Sequence, residues 1–451
     1  MTARKDFRIV RDKFARDNGL PFGRLLSREY VLSVLKAEGH AYRSRDFCPL
    51  VVLWGWLSQC LSQDKSLNEA VSRILAHRVV TGLPACSASS ASYSNSRQRF
   101  PESVMTRMGR EIGQRVHDSA PQSALWHGRE VFLVDGTGLS MPDTAANDAE
   151  YPRPMKERNV VGFPLLRAAA LISLATGAVV DLAITQYMGK GTSEFALLRS
   201  MMPTLKPGSV LVGDKPYGAY IVLADLVARG IDAVVPIQDG RKKSGSTVVW
   251  HKPEYQANRA ALYDGMPDSL TLRQVTIEIE DRDGSTKSLT LVSTITDPAI
   301  TDADIADLYR QRWNCELDFR SIKCAMQLDI LRTKTPEMGR KEIWAHLLTY
   351  NLLRGVMLES ATKANVTPRH LSVKGALQMV ESFTPAMMHS DGQQSLYDAF
   401  LGALAGHRVG NRPNRKEPRM VKRRPKNHAR MTLPRGYYHR RFASDGKNPL
   451  S

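Results

Sequence analysis

Four side chains in the segment LYRQRWNCELDFRSIKCAM can do chemistry together. Tyr309, Arg312, Glu316 and Lys323 stand at offsets 0, 3, 7 and 14. At about 100° per helical residue they fall at roughly 0°, −60°, −20° and −40°. One continuous helix would therefore project a carboxylate, an aromatic hydroxyl and two cations from a narrow arc. That mixture suits a site holding a hard cation beside a phosphate, with the carboxylate on the ion and Arg and Lys on phosphate oxygens. The plainer reading is an exposed helix with an Arg312–Glu316 ion pair at i,i+4, worth about a few tenths of a kcal/mol.

Two acids upstream extend the pattern. The runs EVFLVDGTGLSM and GSVLVGDKPYGAY carry Asp135 and Asp214 at the ends of short apolar stretches, each of which reads as a buried strand ending in an acid. An Asp at a strand end is commonly a turn former. Two of them with Glu316 make a three-carboxylate set. Two-metal phosphoryl transfer needs such a set, because oxygen ligands must be shared by two divalent ions about 4 Å apart.

With these residues in view, the chain resembles the DDE transposases of the insertion-sequence-four type. Their signature Y-(2)-R-(3)-E-(6)-K is met without a gap by Tyr309, Arg312, Glu316 and Lys323, and Trp313 follows the Arg as is common in the family. The segments DGTGLSMPD, YPRPMKERNVVGFP, LISLATGAVVDLAI and LVGDKPYGAY follow the family's order, so the likeness spans roughly residues 45–430. It implies a transposase that binds the terminal inverted repeats of an insertion sequence as a dimer on double-stranded DNA. Such an enzyme cleaves the ends by hydrolysis and joins the freed 3′-hydroxyls to target DNA. Asp135, Asp214 and Glu316 would ligate two Mg²⁺ ions, with Mn²⁺ an acceptable substitute. Arg312 and Lys323 would hold phosphates, and Tyr309 would orient a phosphate or a ligand oxygen by hydrogen bonding. One departure stands out: members carry Arg after the second acid, whereas Asp214 is followed by Lys215-Pro216. Lys keeps the charge on a phosphate and loses the planar fork. Two other readings are a DNA-binding relative without catalysis (a decayed copy or an inhibitor of transposition) and a simple RNase H-like nuclease.

Composition agrees with a polyanionic partner. Lys+Arg number 63 against 45 Asp+Glu, a net charge of +18. Between Leu401 and Ser451, fourteen Lys/Arg face only Glu417 and Asp445, which suits a backbone-tracking basic arm. The five cysteines show no CxxC and no matching His spacing, which argues against zinc. No apolar stretch approaches a membrane span and no signal sequence is evident, so a cytosolic, nucleoid-associated protein is expected.

A chain of 451 residues suggests roughly two to four domains. Residues 1–125 read as a helical, DNA-end-binding domain. Within it, CSASSASYSNSRQRF offers capping serines and either a short helix that would present Gln98, Arg97 and Arg99 to a groove, or a linker with a solvated helix start. From 126 the pattern changes to strand, strand, strand, helix, strand, helix, strand and then the acid-bearing helix. That is the order of an α/β, RNase H-like catalytic core, comprising 126–237 plus 299–350, with Asp135 and Asp214 on its first and fourth strands. The excess at 238–298 alternates in β-branched residues and reads as a β-rich insertion. Its Trp250 either packs within a small insertion sheet or, beside Arg241-Lys242-Lys243, stacks on a base displaced during hairpin formation. Helices are expected over 351–405, with the basic arm at 406–451.

Overall fold

The computed structural model describes residues 20–42, 46–80, 82–154, 162–238, 245–254, 264–280, 286–389 and 394–410, together with Tyr437 and Arg440. Nearly all of the basic arm, the Arg241–Lys243 triplet and the middle of YPRPMKERNVVGFP lie outside the described residues.

Five helices come first: α1 (Arg28–Ala37), α2 (Pro49–Leu61), α3 (Leu67–Val80), α4 (Ser90–Arg99) and α5 (Glu102–Asp118). In α2 every residue is buried, which is what a helix apolar on all sides requires. The central region follows: β1 (Val131–Ser140), α6 (Ala145–Glu150), β2 (Leu165–Ser173), β3 (Val179–Gln186), α7 (Glu194–Met201), β4 (Val210–Val212), α8 (Tyr220–Ala228), β5 (Asp232–Pro236), β6 (Thr247–His251), β7 (Ser269–Glu280) and β8 (Thr286–Ser293). The chain continues through α9 (Asp302–Arg310), α10 (Trp313–Arg320), α11 (Pro336–Lys363), α12 (Val373–His389) and α13 (Gln394–Gly406).

Among the described residues the strands form one eight-stranded sheet of order β3-β2-β1-β4-β5-β8-β7-β6. β1 runs parallel to β4 and β4 to β5, while β1–β2 and β2–β3 are antiparallel. These first five strands are the RNase H-like part. The insertion departs from the expectation of a separate small sheet. β8 pairs antiparallel with β5 through Leu291, Val292 and Ser293, so β6–β8 prolong the central sheet. The physical gain is that β5 no longer leaves an open row of backbone donors and acceptors.

Alternation along the strands divides the core. Val131 and Leu133 of β1 and Val212 of β4 face the N-terminal helices and α9–α13. Phe132, Val134 and Leu211 face α7 and α8. The contact between α5 and the sheet is close: a Cβ on Gly113 would lie 2.2 Å from the carbonyl oxygen of Val179. Asn351 of α11 clamps the same place, donating to the carbonyls of Gly109 (3.1 Å) and Val179 (2.8 Å) and accepting from Val179 N–H (2.8 Å). The N-terminal helices and the sheet therefore share one apolar core, and α11 runs unbroken through position 350.

Candidate metal and phosphate site

β1 and β4 lie side by side in parallel, with Leu133 opposite Val212 as the last registered pair. Asp135 and Asp214 each follow two residues later. They continue the alternation toward the helical layer that holds α10, on strands about 4.8 Å apart. The strand does not end at Asp135 as the apolar run suggested, since pairing with β2 carries β1 on to Ser140, but it is buried through Val134 and half-buried from Asp135 to Gly138. Each acid is steadied by the amide that follows it. Asp135 Oδ1 accepts from Gly136 N–H at 2.8 Å. Asp214 Oδ1 accepts from Lys215 N–H at 2.8 Å and caps a single 3₁₀ turn, Lys215–Gly218. Pro216 sits in the first positions of that turn, where a missing N–H costs nothing.

The signature segment is not the single helix expected from its spacing. α9 stops at Arg310 and α10 begins at Trp313. The joint is held by i→i−3 bonds such as Arg312 N–H to Tyr309 O (2.9 Å) and Cys315 N–H to Arg312 O (2.9 Å). After Arg320 the chain widens into a π-helical turn, Ser321–Ala325, that carries Lys323. Gln311 and Arg312 keep right-handed helical dihedrals, so the segment continues in one general direction through a tightened turn and then a wide one. π-helical turns of this kind recur at functional sites.

The side chains of this segment meet the strand ends. Arg312 donates to Glu316 at 3.0 Å. Burial works against the Arg312 charge, but Tyr309, Asp214 and Glu316 together hold its proton more tightly than usual. Tyr309 is buried, and burial pushes its hydroxyl up to about 12 against the pull of Arg312, with Asp214 and Glu316 adding to the rise. Lys323 Nζ donates to Thr137 Oγ1 (3.1 Å) and to Gly138 O (3.2 Å), so it lies on β1 just past Asp135. α10 is fastened from behind by Asp318, a buried carboxylate that accepts from Tyr350 (2.9 Å) and pairs with Arg354 and Arg369, the latter at 2.6 Å. Arg369 also donates to the carbonyls of Ser173 and Leu174, both at 2.8 Å, tying α10 to the end of β2.

Electrostatically the middle of β1 and the turn after β4 are acid-rich. Burial pushes Asp135 up to about 6; the Gly136 amide and Arg312 oppose the rise, while Glu194 and Asp214 reinforce it. Glu194, at the start of α7, did not stand out in the sequence. A Glu after the capping Ser193 reads as ordinary first-turn acidity favouring a helix N-terminus.

Glu316 points its carboxylate to Arg312. Accordingly Asp135, Asp214 and Glu316 do not bring ligand atoms within 4.8 Å of one another. Among the described residues only His117, Asp118 and Glu130 do so, at the opposite end of β1. There Lys206 already sits 3.3 Å from Asp118 and 3.7 Å from Glu130.

Two of the expected DNA contacts are corrected by burial. Arg97 lies in the N-terminal core, its guanidinium 4.0 Å from the Trp56 ring centroid and 3.2 Å from Gln59 Oε1. It cannot reach a groove from there. Trp250 is only 3% exposed and packs in the apolar cluster with Leu270 and Leu272; a base could not stack on it without opening the sheet. Arg99 is exposed, bonded to Ser96 at 3.0 Å. Lys215 is half-buried beside Asp214.

Residues 126–352 match the profile of a family described as the transposase DDE domain. Among curated proteins, the chain is 26% identical over 421 residues to the transposase InsG for insertion sequence element IS4 of Escherichia coli (strain K12), covering 89% of this chain and 92% of that one. It is 23% identical over 214 residues to the putative transposase InsZ of the same organism, covering 46% of this chain and 68% of that one. Among solved structures, the piggyBac transposase synaptic complex with hairpin DNA, determined by cryo-EM, is a distant likeness. The TM-score is 0.44 at 12% identity, covering 87% of this chain and 86% of that chain.

Proposed function

This chain belongs to the DDE transposases of the insertion-sequence-four family. From that premise we propose that it binds the terminal inverted repeats of its element and cleaves them by Mg²⁺-dependent hydrolysis. It then joins the 3′-hydroxyl ends to target DNA. DDE transposases use a divalent metal. The observation that supports the reading is the register of β1 and β4, which puts Asp135 and Asp214 on neighbouring backbone segments with Arg312 in electrostatic reach of both.

The donor set fits a hard divalent cation. It is all oxygen, and burial with like-charged neighbours keeps Asp135 from ionising at its usual pH, the state an added cation would relieve. Asp135, Asp214 and Glu316 would hold two Mg²⁺ ions, or Mn²⁺ in their place. When bound, such ions make a water or 3′-hydroxyl more acidic and neutralise charge on the leaving oxygen. Glu316 would first have to leave Arg312, which frees that guanidinium for a phosphate of the incoming strand. Lys323, already against β1, would ground a second phosphate oxygen, and the Tyr309 hydroxyl stays protonated and able to donate. Lys215 is placed to neutralise phosphate charge beside Asp214, without the bidentate grip of an Arg.

DNA-end recognition is assigned to the N-terminal helices, with Arg99 among their exposed cations, and general backbone affinity to the basic arm. The enzyme would act on double-stranded DNA as a dimer, in the cytosol. No helix among the described residues is long and apolar enough to cross a membrane. The test is to mix the protein with an oligonucleotide bearing the element's end, Mg²⁺ and a supercoiled plasmid. Joining of the oligonucleotide to the plasmid is the expected result. Cutting alone would make the protein a nuclease, and a shifted band without chemistry a DNA binder.

A further inference from the structure

Gly136, the residue after Asp135, points its missing side chain toward the layer of α7, opposite the one that holds Glu316. The space a side chain would take is filled by Glu194. A Cβ on Gly136 would lie 2.7 Å from Glu194 Oε1, 2.9 Å from its Cδ and 3.0 Å from its Cγ. The Glu194 carboxylate is thus laid across the backbone immediately beyond the first acid of the site. Among the described residues it makes no hydrogen bond or ion pair. A first-turn Glu favours the helix N-terminus wherever its side chain points, and helix stability gives no reason for it to fold over Gly136 toward two other carboxylates.

A second observation converges on the same spot. Tyr217, in the turn that follows Asp214, is fully buried and its hydroxyl has no hydrogen-bond partner among the described residues. Its ring packs where a Gly213 side chain would be, 2.8 Å from that Cβ position. Besides burial, the charges that oppose its ionisation are those of Glu194 first, then Asp135, Cys315 and Asp214, so the hydroxyl lies among the acids. A buried hydroxyl is ordinarily satisfied. Here its natural acceptor is a carboxylate oxygen or a water drawn onto a cation at this point.

We propose that Glu194 is a fourth carboxylate of the metal centre, reaching it from the α7 layer to share a divalent ion with Asp135, with the Tyr217 hydroxyl donating to that ligand set. This rests on the reading of Asp135 and Asp214 as metal ligands.

The test is Mn²⁺ uptake by the full-length protein without DNA, followed by calorimetry and by loss of the free-ion paramagnetic resonance signal. Wild type, Glu194→Gln, Glu194→Asp and Asp135→Asn are compared. Glu194→Gln keeps the shape and removes the charge, so affinity should fall roughly tenfold or more, and Glu194→Asp should fall less. The melting temperature in chelator should not drop for either Glu194 variant, because a like charge beside Asp135 is lost or withdrawn. Wild-type isotherms in both Glu194 variants, alongside a defect in Asp135→Asn, would overturn the proposal and leave the site reading intact. If Glu194→Gln fails to fold, Glu194→Asp decides by the same comparison. No Mn²⁺ uptake by the wild type at millimolar concentrations, or a wild-type isotherm in Asp135→Asn, would bring down the site reading itself and this proposal with it.

Discussion

Burial, reinforced by the charges of Glu194 and Asp214, holds the Asp135 carboxyl up to about 6 from its ordinary 3.8. The folded protein thus keeps a proton there that the unfolded chain releases. In chelator, stability should therefore fall as pH rises from about 4 to about 6 and level off above that, as far as this group is concerned. Asp135→Asn should lose that part of the slope, and Mg²⁺ should restore wild-type stability above pH 6 while leaving the variant unmoved. Parallel pH profiles of melting temperature for the two proteins would contradict the environment described for Asp135. The cations give a second residue-scale expectation. Arg312→Ala and Lys323→Ala should each weaken end binding and lower the salt dependence by about one unit of log–log slope per lost phosphate contact. Unchanged slopes in both would mean that Arg312 serves only Glu316, and Lys323 only Thr137 and Gly138. The strands that carry Asp135 and lead into Asp214, and the helical character of the signature segment, were legible because continuous apolar runs and helical spacing announce them. Glu194 was hidden by its ordinary position in a capped first turn. Arg97 misled because SASYSNSRQR is so polar that the buried pair Tyr93 and Arg97, four residues apart, does not register as an apolar face.

The elements that carry these residues were readable in type and order, while their joints and partners were not. Propensity marked β6–β8 as strands, and nothing local says which edge a strand will join; the open edge of β5 decides it. The signature segment likewise reads as helical, yet the tight turn at Gln311–Arg312 and the wide one at Ser321–Ala325 come from packing, with Asp318 drawn into the Arg354–Arg369–Tyr350 network. Trp250 belongs to this scale. It is buried in the apolar cluster that the inserted strands share with α8, so Trp250→Ala should cost about 3–5 kcal/mol by opening a cavity, measured by urea denaturation. A variant that unfolds at the wild-type midpoint, and forms products no further than a nick, would instead point to a role on DNA.

The whole molecule combines one sheet, two apolar layers and a surplus of positive charge concentrated toward the C-terminus. The α/β class and the helical flanks were legible from the change of periodicity near 126. The shared core was not, since α5, Asn351 and the sheet meet through contacts that span more than half of the chain. Truncation after His407 removes most of the charged tail and should lower affinity for specific and random duplexes alike, steepest at low salt. Equal binding by truncated and intact chains across a salt titration would deny the arm that role. The central claim is that Asp135 within β1, Asp214 just past β4 and Glu316 within α10 perform metal-dependent chemistry on DNA. The most direct measurement is Mg²⁺-dependent cleavage of an end-bearing duplex by wild type, Asp214→Asn and Glu316→Gln, with binding to the same duplex measured in parallel. Each variant should lose cleavage by about a hundredfold or more, comparable to removing one element of preorganised electrostatic stabilisation, while binding stays within a few-fold. Cleavage near the wild-type rate by either variant would contradict the account.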